Sequence, residues 1–334
     1  MPSVSIIVPC YNEQQTIGLL LSAIDAQTYP RSEMEVVIAD GLSADGTREA
    51  IARFAETHPG LPIRVVDNTE RTIPSGLNAA IRASTGEIVI RLDAHSSPYP
   101  NYVARSVEAL EAGKGENVGG VWEIRPQGEG WQAQSIAVAA GHPLGVGDAL
   151  YRHATSAAYV DTVPFGAFRR RLIEQIGFFD ETLLTNEDYE FNARILQTGG
   201  KIWLDPAIRS VYIARPTLAA LWKQYWRYGF WKFRMLKRYP KTLRWRQALP
   251  PLFVFGLAGG LLLSFWLPAL WLPYAAAVGS YLAILFLAGL RAAAQQKKLF
   301  LMVGLPLAIL TMHVAWGSGF LGSIFSTSGV GRNG

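Results

Sequence analysis

The stretch Val36-Val37-Ile38-Ala39-Asp40-Gly41-Leu42-Ser43-Ala44-Asp45-Gly46-Thr47 decides the fold class. Its apolar, β-branched beginning predicts a buried strand over Glu35–Ala39. The glycine-containing turn leads into a helical pattern from about Asp45 to Glu56, and Asp45 is suited to cap that helix. A strand that ends in a carboxylate and passes at once into a helix is typical of a βαβ unit.

The same alternation of strand and helix continues on both sides of this stretch. Further strands are predicted at Ser3–Val8, Ile63–Val66 and Glu87–Leu92, with helices at Gln15–Ala26, Ser75–Ala83 and Tyr99–Glu111. Residues 117–213 give a mixed pattern, with strands at Val118–Ile124, Val160–Phe168 and Ile202–Leu204 and a helix at Asn186–Thr198. The sequence therefore predicts an α/β, Rossmann-like domain with a mostly parallel sheet.

Charge divides the chain into two parts at Asp205. All 26 acidic residues lie at or before it, whereas the 31 basic residues divide into 16 up to it and 15 after it. The first part therefore carries −10 and the second +15. Because the basic part is interleaved with Trp, Phe and Leu, it indicates a surface facing anionic lipid and argues against nucleic acid as a partner.

Long apolar segments near the C-terminus predict a membrane anchor. Three segments are long enough to span the ~30 Å hydrocarbon core of a bilayer, and they run over Leu249–Leu267, Ala269–Leu290 and Leu299–Leu321. An aromatic and basic helical pattern at Thr217–Tyr239 precedes them and predicts an interfacial helix. We therefore expect domains at residues 1–215 and 216–246, and about three transmembrane helices within 247–322.

Basic loops predict the orientation in the membrane. Arg238–Arg246 precedes the first apolar segment and Arg291–Lys298 lies between the second and third, whereas the loop between the first two is uncharged. The N-terminus, Met1–Pro9, lacks the basic region of a signal peptide. The positive-inside rule then predicts a multi-pass protein of the cell inner (plasma) membrane, with its N-terminal domain in the cytoplasm.

Polar residues follow the predicted strands at the edge where parallel sheets bind ligands. Tyr11, Asp40 and Asp93 each stand at the carboxyl end of such a strand. A carboxylate in the position of Asp40 can accept a hydrogen bond from a uracil or a ribose. Asp93 and His95 point to the same side of an extended chain, and together they can bind a divalent cation and the diphosphate it carries.

A second group of carboxylates opens the predicted helix at Asn186–Thr198. Glu187 and Asp188 stand at its start, where negative charge is favourable for structural reasons alone. The same pair also suits acid–base chemistry, because one carboxylate can orient while the other accepts a proton.

Taken in order, these motifs resemble inverting glycosyltransferase family 2, whose members have the GT-A nucleotide-sugar-binding fold. The resemblance covers about residues 1–235, and the apolar C-terminal segments and the Asp-Ala-His variant make it closest to bacterial exopolysaccharide transferases of the succinoglycan (ExoA-like) type. The motifs that carry it are Pro9-Cys10-Tyr11-Asn12-Glu13, Asp40 with Asp45-Gly46-Thr47, Gly76-Leu77-Asn78, Asp93-x-His95 and Glu187-Asp188.

The resemblance assigns roles to these residues. Tyr11 packs on uracil and Asp40 bonds to it, Asp93 binds ribose, diphosphate or metal, and Asp188 is the base beside Glu187. The remaining residues assigned to the donor pocket are Pro9, Glu13, Gly76 and Asn78. The usual D-x-D motif here ends in His95, so the resemblance implies a divalent cation but leaves Mg²⁺ and Mn²⁺ open.

The resemblance also implies an acceptor and several alternatives. Gln224-Tyr225-Trp226-Arg227-Tyr228 is similar to the Q-x-x-R-W motif of processive polysaccharide synthases, which places Gln224, Trp226 and Arg227 near the acceptor; surface anchoring explains them equally well. The implied reaction transfers a sugar, such as the glucose of UDP-glucose, to a saccharide linked to polyprenyl diphosphate. A polyprenyl-phosphate monosaccharide synthase, a processive synthase and a non-catalytic scaffold are the alternatives.

Overall fold

The computed structural model describes residues 1–326, which form a mixed sheet with helices and a bundle of long helices. The sheet has nine strands in these residues, in the order β3-β2-β1-β4-β8-β6-β9-β5, and β7 pairs with β9. The strands are β1 Val4–Cys10, β2 Met34–Asp40, β3 Ile63–Asp67, β4 Ile88–Arg91, β5 Ser97–Pro98, β6 Asn117–Pro126, β7 Ala158–Tyr159, β8 Ala167–Arg169 and β9 Ile202–Ala214.

Helices account for most of the remaining described chain. Those that accompany the sheet are α1 Ile17–Asp25, α2 Thr47–Thr57, α3 Ile73–Ala83, α4 Tyr102–Glu111, α7 Arg171–Ile176 and α8 Glu187–Gln197. The others are α5 Trp131–Gly141, α6 Pro143–Val146, α9 Leu218–Arg238, α10 Trp245–Trp266, α11 Trp271–Gln296 and α12 Leu301–Phe325. Short 3₁₀ turns lie at Arg31–Glu33, Leu150–Arg152, Pro240–Thr242 and Pro268–Leu270.

The chain divides into two compact units. The first consists of Met1–Glu123 and Ala149–Tyr212, and the second of Ile124–Asp148 and the described residues from Ile213 to 326. The domain limits predicted from the sequence, at residues 215 and 246, remain predictions.

The parallel half of the sheet forms the core of the first unit. β1 pairs in parallel with β2 and β4, and β2 with β3, so their carboxyl ends share one edge. Alternate residues of β1 are buried on opposite faces: Ile6 packs in the cluster that contains Leu20 of α1, and Ile7 in the cluster that contains Leu77 of α3. Because helices cover both faces of the sheet, residues that point to either face are apolar, and the strands are continuous apolar runs in the sequence.

Most of the predicted elements are confirmed, and one is wrong. The βα alternation of the first 111 residues is present as expected. The strand predicted at Val160–Phe168 is reduced to its end, Ala167–Arg169. Ahead of it the chain passes through Pro164, which lacks a backbone donor, and Phe165, whose φ of 56° leaves the extended region. Helices α5 and α6 were not predicted.

Helix α12 is the packing centre of the second unit. It packs against α5, α9, α10 and α11. Small residues allow these approaches: a Cβ on Gly229 would overlap the carbonyl oxygen of Trp316, one on Gly319 the carbonyl oxygen of Trp226, and one on Gly304 the hydroxyl of Ser135. Close backbone approach at small residues is the usual means of helix association in membranes.

Gly229→Ala is expected to destabilise the second unit by about 1–3 kcal/mol, because overpacking at a backbone contact has this cost. Gly279 of α11 is the matched control, since a Cβ there would meet nothing within 4 Å. Gly279→Ala should instead stabilise its helix by up to about 1 kcal/mol. Thermal unfolding of both variants in detergent measures the difference. Equal melting temperatures would contradict the tight α9–α12 crossing.

Within the part of the chain that the structure describes, three helices are long and apolar enough to cross a membrane, as the sequence predicted. They are α10, the segment Pro268–Gln296 that contains α11, and α12. The helix predicted at Thr217–Tyr239 is also confirmed as α9, and the Thr217 hydroxyl caps it by accepting a hydrogen bond from the Ala220 amide. Nearly half of the apolar window of α12, 44%, is buried inside the protein, against 11% for α10 and 6% for the segment with α11. α10 and α11 therefore present the more exposed apolar surface.

Candidate active site

The loops that follow β1 and β2 are joined by hydrogen bonds at the carboxyl edge of the sheet. The backbone amide of Asn12 donates to the Ser43 hydroxyl at 2.8 Å, and the backbone amide of Ala44 donates to the side-chain oxygen of Asn12 at 3.1 Å. The Glu13 amide donates to the Thr47 hydroxyl at 2.9 Å, and Asp45 accepts hydrogen bonds from Gln14 and Thr47. Asp45 thus joins the two loops as well as the start of α2.

Asp40 is fully buried and holds the turn after β2. Its carboxylate accepts hydrogen bonds from the Ser43 amide (3.0 Å), the Ser43 hydroxyl (2.5 Å) and Arg48 Nε (2.6 Å). Burial raises the pKa of Asp40, but the bonds from Ser43 and Arg48 outweigh it and hold the pKa below its usual value. Asp40 is therefore ionised. The predicted bond to uracil would be made in addition to the three hydrogen bonds that this carboxylate already accepts.

Tyr11 stands beside this turn with its ring half exposed. A Cβ on Gly41 would lie 2.9 Å from Tyr11 Cδ2, so only glycine lets the ring lie against the turn. The guanidinium of Arg71 lies 5.8 Å from the centre of the same ring. An exposed aromatic face next to a cation can stack on a nucleobase, as predicted for Tyr11.

The residues predicted on α3 are buried beneath the surface. Gly76 faces Pro9, since a Cβ there would lie 3.3 Å from Pro9 Cβ. Asn78 is 1% exposed; its amide donates to the Phe179 carbonyl at 2.9 Å and to Glu181 at 2.7 Å, and its oxygen accepts from the Phe179 amide. In this structure Asn78 supports the loop at residues 179–181, and its donor role remains a prediction.

The Asp-Ala-His segment directs its two side chains to different partners. His95 Nδ1 lies 3.0 Å from Glu13 Oε1, and Asp93 Oδ1 lies 3.2 Å from Arg91 Nη2. Burial raises the pKa of Glu13, but the hydrogen bonds from His95 and Thr16 outweigh it and lower that pKa overall. Within residues 1–326 the structure contains no cluster of three or more metal-ligating side chains.

A cation at this edge could still be held by few protein groups. Asp93 supplies a partly exposed carboxylate and His95 an exposed imidazole. Mg²⁺ and similar ions are often bound through one or two carboxylates together with substrate phosphates. The residues therefore fit a cation that arrives with a diphosphate, and they do not form a complete site by themselves.

The predicted catalytic pair lies at the start of α8, as the sequence indicated. Asn186 precedes the helix with a φ of 69°, and Asp188 accepts a hydrogen bond from the Tyr189 amide at 2.7 Å. Glu187 is buried and accepts a bond from Arg91 Nη2 at 2.9 Å. Burial raises the pKa of both carboxyl groups and outweighs the opposing effect of the Arg91 guanidinium. A raised pKa near a cleft is typical of a general base.

Three arginines of this region were not predicted from the sequence. Arg48 pairs with Asp40 and Asp67, Arg71 lies beside Tyr11, and Arg91 joins Asp93 to Glu187. Only Arg91 carried a usable signal, because a charged residue inside the apolar strand Ile88–Leu92 needs a buried partner.

The residues predicted to meet the acceptor lie on α9 in the second unit. Gln224 donates to the Tyr228 hydroxyl at 2.9 Å, Trp226 stacks on Phe230, and Arg227 is exposed. Their acceptor role remains a prediction.

Comparison with known proteins identifies the class that this fold and edge define. The sequence profile described as glycosyl transferase family 2 matches residues 5–177. A mannosyltransferase from Pyrobaculum calidifontis, solved with GDP-Man and Mn²⁺, superposes with a TM-score of 0.62 at 25% identity, over 93% of this chain and 87% of that one. The fold is the GT-A fold, and the chain belongs to glycosyl transferase family 2.

Relatives from polysaccharide and glycan biosynthesis extend this finding. The succinoglycan biosynthesis protein ExoA of Rhizobium meliloti (strain 1021) is 29% identical over 94% of this chain and 93% of its own length. The dolichyl N-acetyl-alpha-D-glucosaminyl phosphate 3-beta-D-2,3-diacetamido-2,3-dideoxy-beta-D-glucuronosyltransferase of Methanococcus voltae is 28% identical over 77% and 79%. The predicted resemblance to the succinoglycan type is thereby confirmed.

Proposed function

We propose that this chain is an inverting glycosyltransferase that moves a hexose from a nucleotide sugar, such as UDP-glucose, to a saccharide linked to polyprenyl diphosphate. The similarity to ExoA supports a role in polysaccharide biosynthesis, and the Methanococcus voltae relative, named for a lipid-linked sugar, supports the acceptor class. The mannosyltransferase with bound GDP-Man supports a nucleotide sugar as donor.

One observation carries the proposal: a single buried guanidinium joins the carboxylate that follows β4 to the Glu187 carboxylate at the start of α8. Arg91 contacts Asp93, assigned to the donor, and Glu187, the neighbour of the proposed base. Donor side and base side are therefore parts of one charged network. A transfer by direct displacement needs these two functions close together.

The reaction follows as a single displacement at the anomeric carbon. Asp188 accepts the proton of the acceptor hydroxyl, whose oxygen forms the new bond to the anomeric carbon as the bond to the nucleoside diphosphate breaks. Glu187, held by Arg91, orients its neighbour and stays buried. No covalent intermediate forms, so the configuration inverts. A divalent cation held through Asp93 and His95 would neutralise the departing diphosphate.

The apolar helices α10, α11 and α12 bear on where in the cell the reaction takes place. α10 and α11 expose apolar side chains over most of their length, and we propose that they and α12 span the inner membrane with the first unit in the cytoplasm. The uncharged loop at Leu267–Leu270 and the basic residues Arg291, Lys297 and Lys298 support this orientation.

A panel of radiolabelled nucleotide sugars tests the proposal directly. Membranes that contain the protein are incubated with each sugar and lipid-extractable label is counted, with membranes that lack the protein as control. We expect label from one donor and only when the protein is present. Label that appears equally in both membranes would assign the activity to another protein.

Removal of divalent cations with EDTA is expected to abolish transfer, and added Mg²⁺ or Mn²⁺ should restore it. His95→Asp, which creates the usual D-x-D motif, should retain activity and shift the preference toward harder ions such as Mg²⁺. Asp93→Ala should weaken donor binding and remove its dependence on the cation. An unchanged wild-type rate in EDTA would show that no exchangeable cation takes part.

A further inference from the structure

Arg91 is a buried cation in a strand that is otherwise apolar. Its neighbours Ile90 and Leu92 are fully buried, and Arg91 itself is 6% exposed. Nη2 donates to Glu187 at 2.9 Å, and Nη2 and Nε both lie within 3.3 Å of Asp93 Oδ1. A buried arginine loses its hydration on folding, so its place in the core depends on these carboxylates.

The third guanidinium nitrogen of Arg91 makes no hydrogen bond to the described residues, and Arg91 lines a small pocket. Arg91 Nη1 is buried and has no hydrogen-bond partner in the described part of the chain, and the same is true of Asn117 Oδ1. Both residues line one cavity with Asp188 and Asn192. Asn117 is fixed there because its amide donates to Asn192 at 2.7 Å. Arg91 and Asp188 are therefore part of the lining of the same pocket.

Arg91 offsets part of the negative charge of this group. Asp93, Glu187 and Asp188 contribute three negative charges and Arg91 one positive charge, which leaves −2 when all are ionised. Without the guanidinium, the buried Glu187 carboxylate would lose its contact with a cation and would still lie beside Asp188, so each of these two carboxylates would hinder ionisation of the other. Glu187 would also lose the contact that fixes its side chain.

We propose that Arg91 is a positioning residue for sugar transfer, holding the Asp93 and Glu187 carboxylates in fixed places beside Asp188. This inference rests on the proposed function. Arg91 lies outside the predicted motifs. Its role would be to keep the donor-binding carboxylate and the base at a fixed distance from each other. Arg91 touches neither substrate in this scheme.

Substitution of Arg91 with a matched control tests the assignment. Arg194 is the control, because it lies on α8 itself and pairs there with the buried Glu190 at 2.6 Å. We expect Arg91→Gln to lower kcat by at least about tenfold and at most by the ~10²–10⁴ that loss of a general base costs, while KM for the donor rises less. Arg91→Lys keeps the charge but loses the planar fork of N–H donors that reaches both carboxylates, so its kcat should lie between those of the wild type and Arg91→Gln.

Arg194→Gln should lower the melting temperature and leave kcat near that of the wild type below melting. The inference is overturned if Arg91→Gln retains kcat within threefold. It is also overturned if Arg194→Gln loses as much kcat as Arg91→Gln, because the effect would then be general loosening of α8.

A stability measurement separates this network from catalysis. In Arg91→Met the Glu187 carboxylate is buried without its cation, so the folded state takes up a proton and gains stability as the pH falls. The deficit in melting temperature relative to wild type should therefore be smaller at pH 5 than at pH 8, and Arg91→Met/Glu187→Gln should recover part of it. An equal deficit at both pH values without recovery contradicts the network. A wild-type protein that transfers no sugar contradicts the proposed function instead.

Discussion

Asp188→Asn is expected to abolish sugar transfer while nucleotide binding remains close to that of the wild type. The asparagine keeps the shape and the position at the start of α8 but cannot accept the proton of the acceptor hydroxyl. Loss of a general base typically lowers the rate by ~10²–10⁴. Transfer to a hydroxyl acceptor and calorimetric titration with the nucleotide measure the two properties separately.

The alternative reading of Asp188 is favourable charge at a helix N-terminus, and Glu49 controls for it. Glu49 is an exposed carboxylate in the first turn of α2. Glu49→Gln should cost only the ~0.3–1 kcal/mol of a helix-dipole interaction and leave transfer unchanged. Full turnover of Asp188→Asn on a hydroxyl acceptor would refute the base assignment. Full turnover on a lipid phosphate alone would favour a polyprenyl-phosphate monosaccharide synthase.

The raised pKa of Asp188 adds a dependence on pH to the same experiment. The base works only when ionised, so kcat/KM of the wild type should rise with pH through this raised pKa and then level off. Burial raises this pKa, the Arg91 guanidinium and the hydrogen bond from the Tyr189 backbone amide lower it, and the Asp93 carboxylate raises it. The residual activity of Asp188→Asn should lack this rise.

Trp231→Ala is expected to destabilise the second unit by about 3–5 kcal/mol, the usual cost of removing a buried tryptophan. Trp231 is 7% exposed on α9 and lies against Phe230 and Arg234. Thermal unfolding in detergent measures the loss. A change below about 1 kcal/mol, as for an exposed position, would contradict the packing of α9.

Trp222 is the matched control on the same helix, because it is 40% exposed. Trp222→Ala should leave the melting temperature nearly unchanged. If α9 lies at the membrane surface as predicted, this variant should still lose transfer to a lipid-linked acceptor while keeping nucleotide-sugar hydrolysis. Unchanged lipid transfer would reduce α9 to a purely structural element.

Trp231 and Trp222 belong to the same amphipathic pattern in the sequence, but they differ in exposure because α9 packs against a neighbouring helix. The aromatic and basic pattern of α9 predicted an interfacial helix and indicated no protein partner for it. The structure supplies α12, whose Gly319 admits the backbone of α9 at Trp226. An interfacial helix and a helix packed on a neighbour have the same amphipathic period, so periodicity could not separate them.

The errors in the predicted elements have a similar origin. α5 has little contrast between its faces, since small and apolar residues occur all around it, and its burial depends on α12. The strand predicted at Val160–Phe168 consists of buried residues that pack in the core without pairing in the sheet over most of their length. The apolar pattern correctly predicted that these residues are buried, but it wrongly predicted that their backbone pairs in the sheet.

The sequence by itself determined the βα order, the strand ends with Tyr11, Asp40 and Asp93, the carboxylate pair at residues 187 and 188, and the three apolar helices. These depend on local period, turn residues and composition, which neighbouring positions carry. Only the tertiary structure decided that Arg91 joins Asp93 to Glu187, that His95 meets Glu13, and that Asn78 supports the loop at residues 179–181. Such contacts join residues about 80 to 100 positions apart, and their geometry follows from how sheet and helices pack rather than from any local pattern.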